Sequence, residues 1–247
     1  MRYEILGDDM QMLVMTLEAS DKIRAEAGAM MYMNEAIQFN TEMTGGLFKS
    51  LGRLLIGESF FLSTFTAPSG GGKVSFAAPY PGKIHVFDLK GESVICQKDA
   101  FLCCYGDVDL TVAFNKRLGA GFFGGEGFIL QRISGTGSAF IHAGGTLITE
   151  TLGPGEVLRV DTGCLVAFDD SVSYDIQMAG SLKTSMFGGE GLFLARMTGP
   201  GRVLLQTLPF SRLANRIYSA VGGSKEDSTA GGGLLGRLGS MLGGDRS

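Results

Sequence analysis

Three stretches of this chain repeat one another, and the repetition limits the folds open to it. They are "LIGESFFLSTFTAPSGGG" (Leu55–Gly72), "FGGEGFILQRISGTG" (Phe123–Gly137) and "FGGEGLFLARMTGPG" (Phe187–Gly201). In each, a Gly-Glu pair precedes an apolar run that ends in a turn of Gly, Ser, Thr or Pro. The glutamates Glu58, Glu126 and Glu190 are 68 and 64 residues apart. A second element alternates with the first: "KIRAEAGAMMYMNEAIQF" (Lys22–Phe39), "SVICQKDAFLCCYGDVDL" (Ser93–Leu110) and "EVLRVDTGCLVAFDDSVSYDI" (Glu156–Ile176). Ile23, Ile95 and Leu158 correspond, as do Gly28, Ala100 and Gly163, and Met30, Leu102 and Leu165, at spacings of 72 and 63 residues. Two elements sharing one period point to a tandem threefold repeat.

Within the repeat the local pattern is strand and turn. In "GKIHVFDL", Ile84, Val86 and Asp88 alternate with His85, Phe87 and Leu89. In "GEVLRVDTG", Leu158 and Val160 oppose Val157, Arg159 and Asp161. Alternation bounded by Gly-Pro breakers marks antiparallel strands, and 39 glycines suit many tight corners. The expected fold is all-β, a sandwich or barrel of antiparallel modules. The modules span about 1–42, 44–115, 119–180 and 183–210, the first and last partial, within one domain of residues 1–220. "FDDSV" (Phe168–Val172) reads as a hairpin turn carried by Asp169 and Asp170. Short helices are expected near 47–55, where Leu47, Phe48, Leu51, Leu54 and Leu55 share a face, and at 211–220, with Ser211 as N-cap. The glycine-rich tail 221–247 is expected to be disordered.

The glycines raise the question of phosphate binding. A P-loop needs GxxxxGK[ST], and "PSGGGKVS" lacks the leading Gly and has Val74 where a hydroxyl must stand. "GTGSAF" places Phe140 at the third glycine of a dinucleotide loop. The repeated Gly57–Glu58, Gly125–Glu126 and Gly189–Glu190 are therefore read as structural corners, each carboxylate tying turn to strand. They are the candidate site residues of this chain only in that sense, with convergence on a cation or basic partner as the functional alternative.

Other chemistry is thin. The two histidines, His85 and His142, each fall in an expected strand, without metal-ligand spacing or a GxSxG elbow. Cys96, Cys103, Cys104 and Cys164 show no CxxC spacing and read as buried, reduced thiols. A net charge of −4 argues against nucleic acid as a partner, and Arg202, Arg212 and Arg216 make at most a small patch. No catalytic residue, metal or cofactor is expected, and the chain reads as non-enzymatic. "MRYEILGDD" is too acidic for a secretory leader, so the expected location is cytoplasmic, with the amphipathic segments allowing association with a membrane surface. Mean hydropathy is +0.20 with 19% charged residues. A large β core or a buried interface between copies would account for that.

"FGGEGFILQRISGTG", with "IGESFFLSTFTAPSGGG" upstream and "GPGEVLRVDTGCLVAF" downstream, resembles the altered-inheritance-of-mitochondria family, in its uncharacterised bacterial branch, over about residues 1–220. The resemblance implies a fold like that of the trp RNA-binding attenuation protein, built as tandem repeats in one chain. It also implies oligomerisation, no established enzymatic activity, and a link through mitochondrial relatives to inner-membrane organisation. The combined expectation is a non-enzymatic homo-oligomeric scaffold, a trimer first, engaging a protein partner or a membrane surface. The alternative is a module binding a small ligand or nucleic acid.

Overall fold

The computed structural model of the chain describes residues 1–44, 60–116, 128–178 and 193–220. Met1–Ser211 forms one compact unit. The helix expected near 47–55 and the tail 221–247 lie outside the described residues.

Alternation of apolar side chains converts directly into strands here. After β1 (Arg2–Leu6), the first stretch contains β2 (Met12–Leu17), β3 (Lys22–Glu26), β4 (Met30–Met33), β5 (Gln38–Thr44), β6 (Phe60–Thr66) and β7 (Gly72–Ala77). β7 pairs with β2 and β4, while β6 pairs with β3 and β5. Leu13, Met15, Ile23, Phe65, Val74 and Phe76 meet in the core that these strands enclose.

Three long strands follow: β8 (Gly82–Gln97), β9 (Phe101–Lys116) and β10 (Phe128–Gly144). Each is bent and acts as two. The first half of β8 pairs with the second half of β10, and the second half of β8 with the first half of β10. β9 runs along β10 in the same divided way. The register shifts at Gly135, whose φ is +121°. A side chain there would collide with the Asp107 carbonyl, so the bend requires glycine.

The last stretch has β11 (Leu147–Leu152), β12 (Val157–Asp161), β13 (Leu165–Asp169), β14 (Ser173–Met178), β15 (Phe193–Thr198) and β16 (Gly201–Gln206). β16 pairs with β11 and β13, and β15 with β12 and β14. Two further ladders join the stretches: β9 beside β3, and β13 beside β8.

The result is three antiparallel sheets, of order β1-β2-β7-β4, β11-β16-β13-β8-β10-β9-β3-β6-β5, and β12-β15-β14. Among the described residues none closes on itself, so the barrel alternative gives way to open, packed sheets. Closure needs both edges of one sheet to pair, and each sheet keeps two edges. β10 is the hub. Phe140 enters the first core, Ile133, Ala139 and Ile141 the second, and Phe128 and Leu130 the third. A strand buried on both faces reads as a continuous apolar run, as "AFIHA" does.

Two local expectations change. "FDDSV" is a turn, closed by the Val172 amide donating to the Asp169 carbonyl at 2.9 Å, but β13 and β14 do not pair with each other. The chain crosses there from the nine-stranded sheet to the three-stranded one. The C-terminal helix α1 spans Phe210–Ala220. It starts one residue earlier than expected, so Ser211 lies in its first turn instead of capping it.

Candidate functional site

Gly57, Glu58, Gly125, Glu126, Gly189 and Glu190 lie outside the described residues. Thr44 is opposite Phe60, Lys116 opposite Phe128, and Met178 opposite Phe193. Each Gly-Glu segment thus connects two strands that pair with each other.

The histidines part company. His85 is half-buried on β8, its ring 4.8 Å from that of Phe87. Burial, then the charge of Arg202, lowers its pKa. His142 on β10 is 2% exposed. Burial alone pushes its pKa down to about 4, and its Nδ1 has no hydrogen-bond partner among the described residues. The Tyr80 ring stands edge-on to it at 4.7 Å and lies 5.3 Å from Phe210. The phenol of Tyr80 is raised to about 12, first by burial and then by the carboxylates of Asp99 and Glu26. Gly82 makes room for this stack, since a Cβ there would strike the Ala143 carbonyl and the His142 ring. Both aromatic groups are uncharged across the ordinary pH range.

Tyr80 also lines a cleft of about 360 Å³ with Met10, Met12, Met30 and Met31. The start of β2, the turn between β3 and β4, and the segment after β7 build it. Met10 and Met31 are exposed. Flexible thioethers beside the neutral Tyr80 ring suit apolar groups of variable shape, and the volume is within the range of ligand sites. No motif in the sequence marks this cleft. Its methionines are distributed over two separate strands and a loop, and only β7 brings them together.

The charged residues form a different structure. Arg202 donates from Nε and an Nη to the two carboxylate oxygens of Asp169, at 3.0 and 2.9 Å, and its backbone amide donates to the same carboxylate at 2.9 Å. Burial alone would raise the Asp169 pKa; these bonds and the Arg202 charge outweigh it and hold it low. Asp170 pairs with Arg132 and accepts from Ser93 Oγ at 2.8 Å. The Arg132 hydrogen bond, then that of Ser93, keeps its pKa low despite some burial. This clamp ties β8, β10, β13 and β16 together. Arg202 is therefore committed to Asp169. Arg132 and Ser93 carried no local signal, because they approach Asp170 only through sheet order.

Cys96, Cys103 and Cys104 are buried, and Cys164 is half-buried. Cys103 joins the first core and Cys104 the second, as neighbours on a strand must. Burial raises the Cys96 thiol to about 12 and the Cys104 thiol to about 11, which holds both as poorly nucleophilic thiols. Among the described residues no group of three or more His, Cys, Asp or Glu is placed to hold a metal ion. No helix among them is long and apolar enough to cross a membrane.

A family model described as "Mitochondrial biogenesis AIM24" matches residues 3–208. An uncharacterized protein of Streptococcus pyogenes serotype M6 is 27% identical over 209 residues, which are 81% of this chain and 83% of that protein. Among solved structures, the X-ray crystal structure of a Streptococcus pyogenes protein superposes with a TM-score of 0.74 at 24% identity. The match covers 89% of this chain and 99% of that one. That likeness shows the fold.

Proposed function

The chain belongs to the AIM24 mitochondrial biogenesis family, and from that premise we propose that it is a non-enzymatic, homo-oligomeric β scaffold that engages a protein partner or a membrane surface. What supports the reading most is the strand pairing. Take β2–β7, then the six halves of β8–β10, then β11–β16. In each set the first strand pairs with the sixth, the second with the fifth, the third with the sixth and the fourth with the fifth. We read these sets as three tandem units, about 12–77, 82–144 and 147–206, related to the fold of the trp RNA-binding attenuation protein. The Gly-Glu segments fall inside the units, between the fourth and fifth strands, which suits corners repeated by the fold.

The polar groups support the same reading. Asp169, Asp170, Arg132 and Arg202 pair with one another, and the best-buried histidine and thiols are held uncharged. Light scattering on the full chain tests the proposal. An assembly is expected at micromolar concentration, three copies being the first number to check, and a strict monomer would overturn it. Flotation with vesicles separates a membrane surface from a protein partner.

The cleft at Tyr80 favours a second reading, as a site for a small apolar ligand. Under it, an apolar fluorescent probe binds the wild type, and Met31→Glu abolishes that binding with the fold intact.

A further inference from the structure

Two ladders join the units, and both follow one rule: the third strand of a unit lies beside the second strand of the unit before it. At the first junction Ile23 is opposite Tyr105, Arg24 opposite Cys104 and Ala25 opposite Cys103. At the second, Ile95 is opposite Phe168 and Cys96 opposite Ala167. The spacings read from the sequence carry one junction onto the other. Moving Ile23 by 72 gives Ile95, and moving Tyr105 by 63 gives Phe168. The two interfaces are therefore the same interface in the same register.

Applied once more, the rule leaves two strands without the junction neighbour it calls for among the described residues, although β4 still pairs with β7 and β12 with β15. β12 is the second strand of the last unit, and β4 is the third strand of the first. Both are edges, β4 of the four-stranded sheet and β12 of the three-stranded one. Their side chains are uncovered too: Met31, Tyr32 and Val157 are 54%, 47% and 41% exposed. An open edge with apolar side chains is a template for another strand. Within this chain the edge that fits β4 by precedent is β12, and the two are left in separate sheets.

We propose that β4 of one copy of this chain pairs antiparallel with β12 of a second copy, repeating the internal junction. Shifting the register places Leu158 opposite Met33 and Arg159 opposite Tyr32. The interface joins unlike surfaces, so each copy keeps one free edge of each kind and assembly runs head to tail, into a ring where the rotation closes. Its occupant is a second copy because only this chain carries both halves of an interface already used twice inside it. This inference rests on the oligomeric reading above and names its contact surface.

Directly opposed residues of an antiparallel pair have Cα atoms about 4.5–5.5 Å apart, within disulfide reach. Two full-length variants, Tyr32→Cys and Arg159→Cys, are made in a Cys164→Ser background, one with a size tag. Both positions are exposed, so folding is retained, which circular dichroism verifies. After mixing and oxidation, a tagged–untagged disulfide is expected at a yield roughly ten-fold or more above either variant alone, because pairing raises the local thiol concentration. An assembly by light scattering with no mixed disulfide would overturn this interface and leave the oligomeric reading standing. A monomer would overturn both. A disulfide forming within one chain of the double variant, at dilution, would assign β12 to its own β4 and reject the second copy.

Discussion

His142 shows how burial, without a charged neighbour, sets the behaviour of a residue. Its ring lies among β10, Tyr80 and Gly82, where a proton is costly. The pKa is about 4 when folded and about 6.5 when unfolded. Above the unfolded value both states hold a neutral ring, and the full stability is present. As pH falls below it, the unfolded chain takes up a proton that the folded chain refuses until about 4, so stability drops through that window. The expected loss is about 2 kcal/mol between pH 7 and pH 5. Urea titrations of wild type and His142→Leu at the two pH values measure it: the variant should lack that part of the pH dependence. The carboxylates of Asp169 and Asp170, held low by Arg202 and Arg132, act only at lower pH. Theirs is stability lost as pH falls through their folded values. That clamp is half-exposed at Arg202, so its contribution is modest. A sequence shows that His142 sits in an apolar strand. It does not show Tyr80 standing against the ring, because that contact joins a loop to a strand some sixty residues on.

At the scale of elements, β10 decides the most. Its side chains supply all three cores, and Phe140 is fully buried, 5.0 Å edge-on from Tyr3. Truncation there leaves a cavity that neighbouring strands cannot collapse into, since each is held by its own ladder. Phe140→Ala is expected to cost about 3–5 kcal/mol in chemical denaturation, whereas Ser138→Ala, on the half-exposed stretch of the same strand, should cost under about 1 kcal/mol. Strand positions were legible from alternation in "GKIHVFDL" and "GEVLRVDTG", because period two is a property of neighbouring residues. The division of β8, β9 and β10 into halves was not. A bend needs a glycine, but only the partner strand shows which of 39 glycines carries it: Gly135 faces Val108 on β9, and the Asp107 carbonyl beside it leaves no room for a side chain. In the same way Asp169 and Asp170 announced a turn and not its role, since a hairpin and a crossing between sheets use the same residues.

For the whole molecule the shared strands matter more than the apparent units. β10 pairs along its length with β8 and β9, β13 with β8 and β3 with β9. No unit can unfold without stripping a neighbour of a sheet partner. Met1–Ser211 is therefore expected to unfold in one cooperative transition, with coincident far-ultraviolet dichroism and tyrosine fluorescence curves. Separate transitions would mean that the three cores are independent.

The sequence by itself determined the strand-rich class, the family resemblance and the spacings that relate one junction's register to the other's. All of these are written in residues near one another or in similar stretches of chain. The tertiary structure alone decided that the sheets stay open, that methionines gather at Tyr80, that Arg132 meets Asp170, and which two strands end as edges. Those outcomes depend on which distant strands lie side by side. Hydrogen bonding along a strand is the same whoever the neighbour is, so packing of the side chains makes that choice.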